Sequence, residues 1–471
     1  MIIGRKKEQA ELKRYMESSR PEFIAVYGRR RLGKTFLIRE YFGNDFLFYF
    51  TGTVGGKRLE QLKAFDTAIK QYGGAASVPS KNWMEAFLKL RELIETAPAK
   101  ERQVVFIDEL PWLDTKNSDF IRALDYFWNS FASARPELLF IVCGSAASWV
   151  VKKLFKNRGG LHNRVTGRIH LAPFSLRECE EYFTYKGVVM NRYQIAETYS
   201  VFGGIPYYLS MFIPSLGAMQ NVDRLLFEED APLRDEYDEL YYSLFSEPER
   251  PLLIIEALAE KRYGMTREEL VKRTGIPEGG HFSANIEALE QSDFITRYTD
   301  FTRPVNNAYY RLSDPFSLFW RYFGKEGKES KDDYFWTNRR QDGERRAFSG
   351  YAFEEICLSH IPQIKKKLGI SGVSSRVTAW RSKGAKPGAQ IDLIIDREDG
   401  VINLCEMKFT SNPYTITKDD DESLFRKLRV FAEETQTKKA LHTTMITTYG
   451  LTMKGYRGSV QSEITLDDLF E

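Results

Sequence analysis

The chain has few cysteines, no long apolar run and almost no excess of charge of one sign. Its four cysteines, Cys143, Cys179, Cys357 and Cys405, are scattered and form no C-x-x-C pair. That excludes a disulfide framework and a cysteine-built zinc site, and it suits reduced thiols in an intracellular protein. The longest apolar run, Leu138 to Cys143, is far too short to span a bilayer. The first residues, Met1-Ile2-Ile3-Gly4-Arg5-Lys6-Lys7-Glu8, turn charged at once and lack the apolar segment of a secretory signal. The expectation is a soluble cytoplasmic protein with no membrane partner. Lysine and arginine number 68 against 65 aspartates and glutamates, a net charge of +3, so any contact with nucleic acid must come from local patches. A hydrophobic fraction of 42% excludes global disorder, and 471 residues suit about three domains.

The most informative stretch runs from Ile24 to Ile38. An apolar run leads into a glycine-bounded loop and then an apolar-periodic helix. Gly28 to Thr35, Gly28-Arg29-Arg30-Arg31-Leu32-Gly33-Lys34-Thr35, fits G-x-x-x-x-G-K-[ST]. Loop N–H groups must approach phosphate oxygens closely, which keeps side chains off Gly28 and Gly33. The helix that starts at Lys34-Thr35-Phe36 turns its positive end toward the anion. Lys34 reaches the β- and γ-phosphates, and the Thr35 hydroxyl is a ligand for Mg²⁺. The segment Gly28 to Phe36 is therefore the expected nucleotide-binding element. The three arginines within it either add positive potential at the phosphates or are simply solvated.

Downstream, apolar runs alternate with helical periodicity: a strand at Phe46–Phe50, a helix from Asn82 to Thr96, the run Val104-Val105-Phe106-Ile107, a helix from about Asp119 to Ser133, and the run Leu138–Cys143. This order predicts a doubly wound parallel α/β sheet. Ligands gather at the C-terminal ends of such strands. Asp108, which ends the third run, is expected to hold Mg²⁺, and Glu109 to polarise the attacking water. Ser145, at the end of the next run, is placed to sense the γ-phosphate.

Several short sequences together resemble the P-loop ATPases of the AAA+ and STAND superclass, most closely the prokaryotic (archaeal-type) ATPase family often joined to a C-terminal nuclease-like domain. They are Ile3-Gly4-Arg5-x-x-Glu8, the P-loop, Val105-Phe106-Ile107-Asp108-Glu109, Cys143-Gly144-Ser145, Leu171-Ala172-Pro173-Phe174 and Gly203-Gly204-Ile205-Pro206. The resemblance covers roughly the first 230 residues. It implies ATP as the nucleotide, an opening segment near the adenine, and a helical lid whose Gly203-to-Pro206 turn contacts the nucleotide side. It also implies that Arg164 or Arg168 acts as an arginine finger, in cis or in trans; a solvated basic turn is the other reading. Assembly into a homo-oligomer is an expectation of the same origin.

From Arg250 the pattern changes. Leu253 to Leu258, then a helix capped by Thr266 with Glu269 three residues on, then Ser283 to Ser292, read as three helices. Phe294–Tyr298 and Ala308–Leu312 read as a hairpin. Three helices and a hairpin resemble a winged helix-turn-helix, whose third helix reads DNA. That helix carries Asn285, Glu287 and Glu290 and no lysine or arginine, so packing or protein contact is the favoured role. The hairpin's Arg297, Arg303 and Arg311 leave DNA binding open. An aromatic-rich helix from Ser313 to Phe323 has the period of a core element, and Lys325 to Asp333 reads as a charged linker.

In the last third, Gln390 to Asp396 and Val401 to Lys408 read as two strands joined by an Asp399-Gly400 turn. Alternation sets Glu406 and Lys408 on one face, and Asp392 on the partner strand can converge on them. This resembles the PD-(D/E)XK nuclease core over roughly residues 345 to 450, with Gln390-Ile391 where a proline often precedes the first aspartate. The resemblance implies that Asp392 and Glu406 hold Mg²⁺ and that Lys408 helps activate water, with Glu354 completing the shell. Chance charges on a strand face are the alternative. Lys365, Lys366, Lys367, Arg376, Arg381, Lys383 and Lys386 form a local basic supply that suits a phosphate backbone or is solvated.

The expected architecture is thus α/β: a P-loop NTPase core with a parallel sheet (1–175), a helical lid (176–245), a winged-helix-like domain (246–324), a linker (325–344), and a restriction-endonuclease-like α/β domain (345–471). The expected catalytic residues are Lys34 and Glu109 in the first site and Asp392, Glu406 and Lys408 in the second. Gly28 to Phe36, Ser145 and Pro206 are expected to contact nucleotide, and Thr35, Asp108, Asp392 and Glu406 to contact metal. The cofactors are ATP and Mg²⁺, and DNA is a candidate partner. The function expected is an ATPase that controls a nucleic-acid-acting domain; a signalling or assembly switch with an inert C-terminal domain, or a DNA-binding regulator, are the alternatives.

Overall fold

A computed structural model describes the chain except residues 76–77, 157–160, 162, 246, 303–307, 386 and 457. Arg303 and Lys386 therefore lie outside the described residues. The chain forms two compact units, Met1–Pro173 and Phe174–Glu471. Among the described residues no helix is long and apolar enough to cross a membrane.

The first unit is built on five strands: β1 (Glu22–Tyr27), β2 (Phe48–Thr51), β3 (Gln103–Asp108), β4 (Leu138–Gly144) and β5 (Gly167–His170). They lie in the order β2-β3-β4-β1-β5, and every pairing is parallel. The three inner strands β3, β4 and β1 are buried almost throughout, which explains why their sequences read as unbroken apolar runs rather than alternating ones. This is the α/β class and parallel sheet that the sequence implies. The helices Trp83–Thr96 and Phe120–Ser130 pack one apolar stripe each into the core, through Phe87, Leu90, Phe120 and Phe127 among others. Asn82 caps the first of them by accepting from the Glu85 N–H at 2.9 Å.

One helix of this unit, Arg58–Gln71, is absent from the sequence reading. Its inward residues Leu62, Phe65 and Ile69 do carry helical spacing, and Glu60 accepts from the Lys57 N–H at its start. The glycines before it, Gly52, Gly55 and Gly56, masked the pattern.

The second unit contains an all-helical stretch, a small sheet and a large sheet. The small sheet is β6 (Met265–Thr266), β7 (Ile295–Tyr298) and β8 (Tyr309–Leu312), in the order β6-β8-β7, all antiparallel. Helices Glu249–Ala259, Arg267–Thr274 and Gly280–Gln291 accompany it. Thr266 caps the second of these with the reciprocal Glu269 contact. The large sheet is β9 (Ser375–Arg381), β10 (Gln390–Arg397), β11 (Val401–Lys408), β12 (Ala440–Thr447) and β13 (Ser462–Thr465), in the order β13-β12-β11-β10-β9. β9, β10 and β11 are antiparallel neighbours, whereas β11, β12 and β13 run parallel. The edge of β9 is extended by the segment after β7: the Phe301 N–H donates to the Ala379 carbonyl at 2.8 Å.

The stretch 325–344 is not a spacer. Lys325–Glu329 and Phe335–Asn338 are helical, and Phe335 and Trp336 are buried. Asp223 accepts from the Trp336 and Thr337 N–H groups at 2.7 and 3.1 Å. The aromatic residues hidden among its charges are what hold it against the rest of the unit.

Candidate functional site

The first candidate site lies at the C-terminal ends of β1, β3 and β4. Gly28 has φ +144° and Gly33 φ +83°, both in the region that favours glycine. A Cβ on Gly28 would stand 2.4 Å from the Leu171 carbonyl oxygen, so only a bare backbone fits there. The loop ends where the helix Lys34–Tyr41 begins. Lys34 is buried, and its ammonium donates to the Arg29 carbonyl at 2.9 Å, across the mouth of the loop. Thr35 Oγ1 donates to Asp108 Oδ2 at 2.7 Å. Of the three loop arginines, Arg29 is buried, Arg30 is exposed and Arg31 is half-buried with φ +74°. Phe36 is exposed.

Parallel register carries the other side chains to the same edge. Asp108 ends β3, and Cys143 and Gly144 end β4. The Cys143 thiol donates to Asp108 Oδ1. Burial pushes that thiol well up, and Asp108 and Glu109 add to the effect, so it stays protonated and remains a donor. Glu109 sits in left-handed backbone, φ +50°. Its Oε2 accepts from Ser145 Oγ at 2.8 Å and from the Ser145 N–H at 3.2 Å. Thus Lys34, Thr35, Asp108, Glu109 and Ser145 lie on one sheet edge, as five expected site residues. The donors on Asp108 and Glu109 named here, hydroxyl, thiol and backbone N–H, are all neutral groups. Oxygen donors of this kind, Thr35 and Asp108 in contact, suit a hard divalent cation.

Arg5 also belongs to this edge. Its guanidinium is buried and donates to the carbonyls of Ala172 and Leu32. Arg164 and Arg168 are exposed, and Arg168 lies over the Phe155 ring at 4.3 Å. Pro206 belongs to the second unit, at the first position of the helix Pro206–Ser210. There the Gly203-to-Pro206 turn packs tightly: a Cβ on Gly204 would stand 1.9 Å from the Phe174 carbonyl oxygen, and the Phe174 N–H donates to the Gly204 carbonyl at 2.7 Å.

The second candidate site lies on the large sheet of the second unit. Glu406 and Lys408 on β11 are in contact, Lys408 Nζ to Glu406 Oε1 at 3.0 Å. Lys427, from the helix Lys418–Thr435, takes the other oxygen, Nζ to Oε2 at 2.6 Å. Burial opposes the ionisation of Glu406, but Lys427 and Lys408 outweigh it and hold the carboxyl below its ordinary range. Asp392 on β10 accepts from Gln390 Nε2 at 2.6 Å. Glu354, on the helix Gly343–Ser359, is pushed up to about 8 by burial and then by Asp392 and Glu355. Crowded carboxylates of this sort are relieved by a cation. Even so, among the described residues no three His, Cys, Asp or Glu side chains are gathered closely enough to hold a metal ion.

Three of the basic residues expected near this site are in ion pairs. Lys367 pairs with Asp468 at 2.8 Å, Lys366 with Glu471 at 3.9 Å and Arg376 with Asp396 at 3.7 Å. Arg311, expected on a DNA-facing wing, is buried: its side chain is 5% exposed and pairs with the 6% exposed Glu355 at 3.0 Å. It is unavailable to a phosphate. Arg297 is exposed. Lys427 was missed in the sequence. Its signal was there: Asp420, Ser423, Leu424 and Lys427 fall on one helical face, and all four line a pocket shared with Glu406, Lys408 and Tyr414.

Residues 2–212 match the profile of a family described as an ATPase domain predominantly from Archaea. An uncharacterized protein of Methanocaldococcus jannaschii is 23% identical over 437 residues, 91% of this chain and 92% of that protein. Among solved structures, the Walker-type ATPase of Pyrococcus abyssi is 21% identical, covering 68% of this chain and 96% of that one, with a TM-score of 0.47. The ORC2 protein of Aeropyrum pernix, solved with ADPNP and ADP, is 13% identical, covering 71% and 94%, with a TM-score of 0.41.

Proposed function

We propose that the chain is an AAA+/STAND-type ATPase that binds and hydrolyses ATP and uses the cycle to control a nuclease-like, nucleic-acid-acting C-terminal domain. The observation that carries the ATPase part is the contact between Thr35 and Asp108 at 2.7 Å, directly after a phosphate-cradling loop. Mg²⁺, held by Thr35 and Asp108, would supply charge neutralisation at the β- and γ-phosphates. Lys34 leaves the Arg29 carbonyl to meet the phosphates, Glu109 orients and polarises the attacking water, and Ser145 aligns Glu109. Arg164 or Arg168, both exposed, is the candidate arginine finger, in cis or in trans.

In this reading residues 176–245 are the lid, 246–324 a winged-helix-like module and 345–471 the nuclease-like domain. Asp392, Glu406 and Lys408 are its candidate site residues. The winged-helix-like module acts by packing, because Arg311 is spent on Glu355 and the helix Gly280–Gln291 presents acidic residues. The two lysines on Glu406 favour a second reading, in which the C-terminal domain binds nucleic acid without cutting it.

Phosphate release and DNA cleavage test both parts. Wild type should hydrolyse ATP with Mg²⁺, and Lys34→Ala should not. Wild type should cleave DNA with Mg²⁺ or Mn²⁺, and Asp392→Ala should not. Equal ATP turnover in Lys34→Ala would overturn the first assignment. Absence of cleavage on single- and double-stranded DNA, with or without ATP, would leave the non-cutting reading.

A further inference from the structure

We infer that Gln61 is a positioning residue for Glu109, holding from two sides the backbone turn that carries it. This rests on the ATPase reading given above, in which Glu109 polarises the attacking water. Glu109 has φ +50°, a left-handed conformation that a residue with a side chain keeps only where its surroundings impose it. Ser145 meets the Glu109 carboxylate, and the backbone needs holds of its own.

The turn after β3 supplies one of them. Leu110–Trp112 form a short helical turn, and the Trp112 N–H closes it by donating to the Glu109 carbonyl at 3.1 Å. The segment after β2 supplies the other. The Gly52 N–H donates to the Asp108 carbonyl at 3.0 Å, which continues the parallel pairing of β2 with β3. A Cβ on Gly52 would stand 2.7 Å from the Glu109 carbonyl oxygen, so this strand end lies directly against the turn.

Gln61 joins the two. It lies on the helix Arg58–Gln71 and is completely buried. Its Oε1 accepts from the Thr53 N–H at 3.1 Å. Its Nε2 donates to the Thr53 carbonyl at 2.6 Å and to the Trp112 carbonyl at 3.3 Å. One amide thus pairs with both backbone groups of the residue after Gly52 and with the residue that closes the Glu109 turn. A side-chain amide carries the acceptor and the two donor hydrogens that this requires, whereas a hydrocarbon carries neither and a carboxylate only acceptors.

A carboxylate that activates water must stand within hydrogen-bond reach of it. Relaxation of the Glu109 backbone would swing the whole side chain, and a small displacement of a catalytic group costs a large factor in rate. The phosphate loop from Gly28 to Thr35 makes none of these contacts with Gln61. Loss of the Gln61 amide therefore falls on the chemical step and spares ATP binding.

The full-length Gln61→Met variant, similar in shape but without the amide, tests this through kcat and KM for ATP with Mg²⁺ and through ATP affinity by equilibrium binding. Its kcat should fall roughly 10- to 100-fold while ATP affinity stays within about threefold of wild type. Gln61→Asn keeps an amide one methylene short of its partners. It should show the same split to a smaller degree, and it serves if the methionine variant does not fold. In a Glu109→Gln background, single-turnover measurements should show Gln61→Met adding less than about threefold, because the group it positions is already gone. Unchanged kcat in the folded variants, a loss of ATP affinity as large as the loss of kcat, or fully multiplied losses in the double variant would each overturn the role of Gln61 and leave the ATPase reading standing. Normal turnover in Glu109→Gln alone would instead overturn the base assignment on which that role rests.

Discussion

The P-loop unit and the C-terminal sheet each bring acidic side chains to a strand end, and they satisfy them in opposite ways. Asp108 and Glu109 meet a threonine hydroxyl, a thiol, a serine hydroxyl and backbone N–H groups. Glu406 meets two ammonium groups. Neutral donors fix a carboxylate without cancelling its charge, so the first site remains attractive to a cation and its nucleotide. Ammonium groups cancel the charge, so Glu406 is closer to balance before any ligand arrives. Residue type alone would have ranked the two sites as equals. The identity of the hydrogen-bond donors separates them.

The largest expected effect falls on the first site. Lys34→Ala should reduce ATP hydrolysis about a thousandfold, since a preorganised charge at the phosphates is lost. Glu109→Gln should lower turnover by about two to four orders of magnitude while ATP affinity changes by less than about threefold; rapid-quench kinetics with equilibrium binding separates the two. Normal turnover in that variant would remove Glu109 from the role of base and weaken the contrast between the sites.

The second unit should show its dependence on ion pairs as stability. Arg311→Met leaves Glu355 buried without its partner and should cost about 3–5 kcal/mol in urea unfolding. The double change Arg311→Met with Glu355→Met should recover most of that loss. His360 offers a comparable effect through pH. Its Nδ1 faces the Ile356 carbonyl at 2.8 Å, and its Nε2 accepts from the Leu176 N–H at 3.1 Å, so the ring is bound as the neutral form. Burial pulls it down to about 4. The unfolded chain binds this proton near pH 6.5 and the folded chain does not, so the contribution is complete above about pH 6.5. It should fall away as pH drops toward 4, by about 3 kcal/mol in all. His360→Gln should flatten that slope.

The smallest effect expected is Ser145→Ala, about tenfold in turnover through loss of one hydrogen bond to a charged group, with binding unchanged. An increase in turnover would instead mean that Ser145 restrains Glu109 rather than aligning it.

The parallel sheet and the P-loop edge were legible because unbroken apolar runs, a glycine-bounded loop and terminal carboxylates each leave a local pattern. The Glu406–Lys408 pair was legible from alternation alone. What the sequence hid was long-range pairing. The Cys143 contact to Asp108 needs the register of β3 against β4. Lys427 needs a helix to fold back over β11, and Arg311 needs Glu355 from 44 residues later to become a core residue instead of a phosphate contact. The linker reading at 325–344 followed its charges and undervalued Phe335 and Trp336, which are buried.

Control of the C-terminal site by ATP is most directly tested by hydrogen exchange in Glu109→Gln, which should trap bound ATP. With Mg²⁺ and ATP, amides of β11 and of the helix Lys418–Thr435 should change their exchange rates relative to the nucleotide-free protein, and the change should vanish when Lys34→Ala is added. Identical exchange in those segments, with ATP demonstrably bound, would contradict the proposed control.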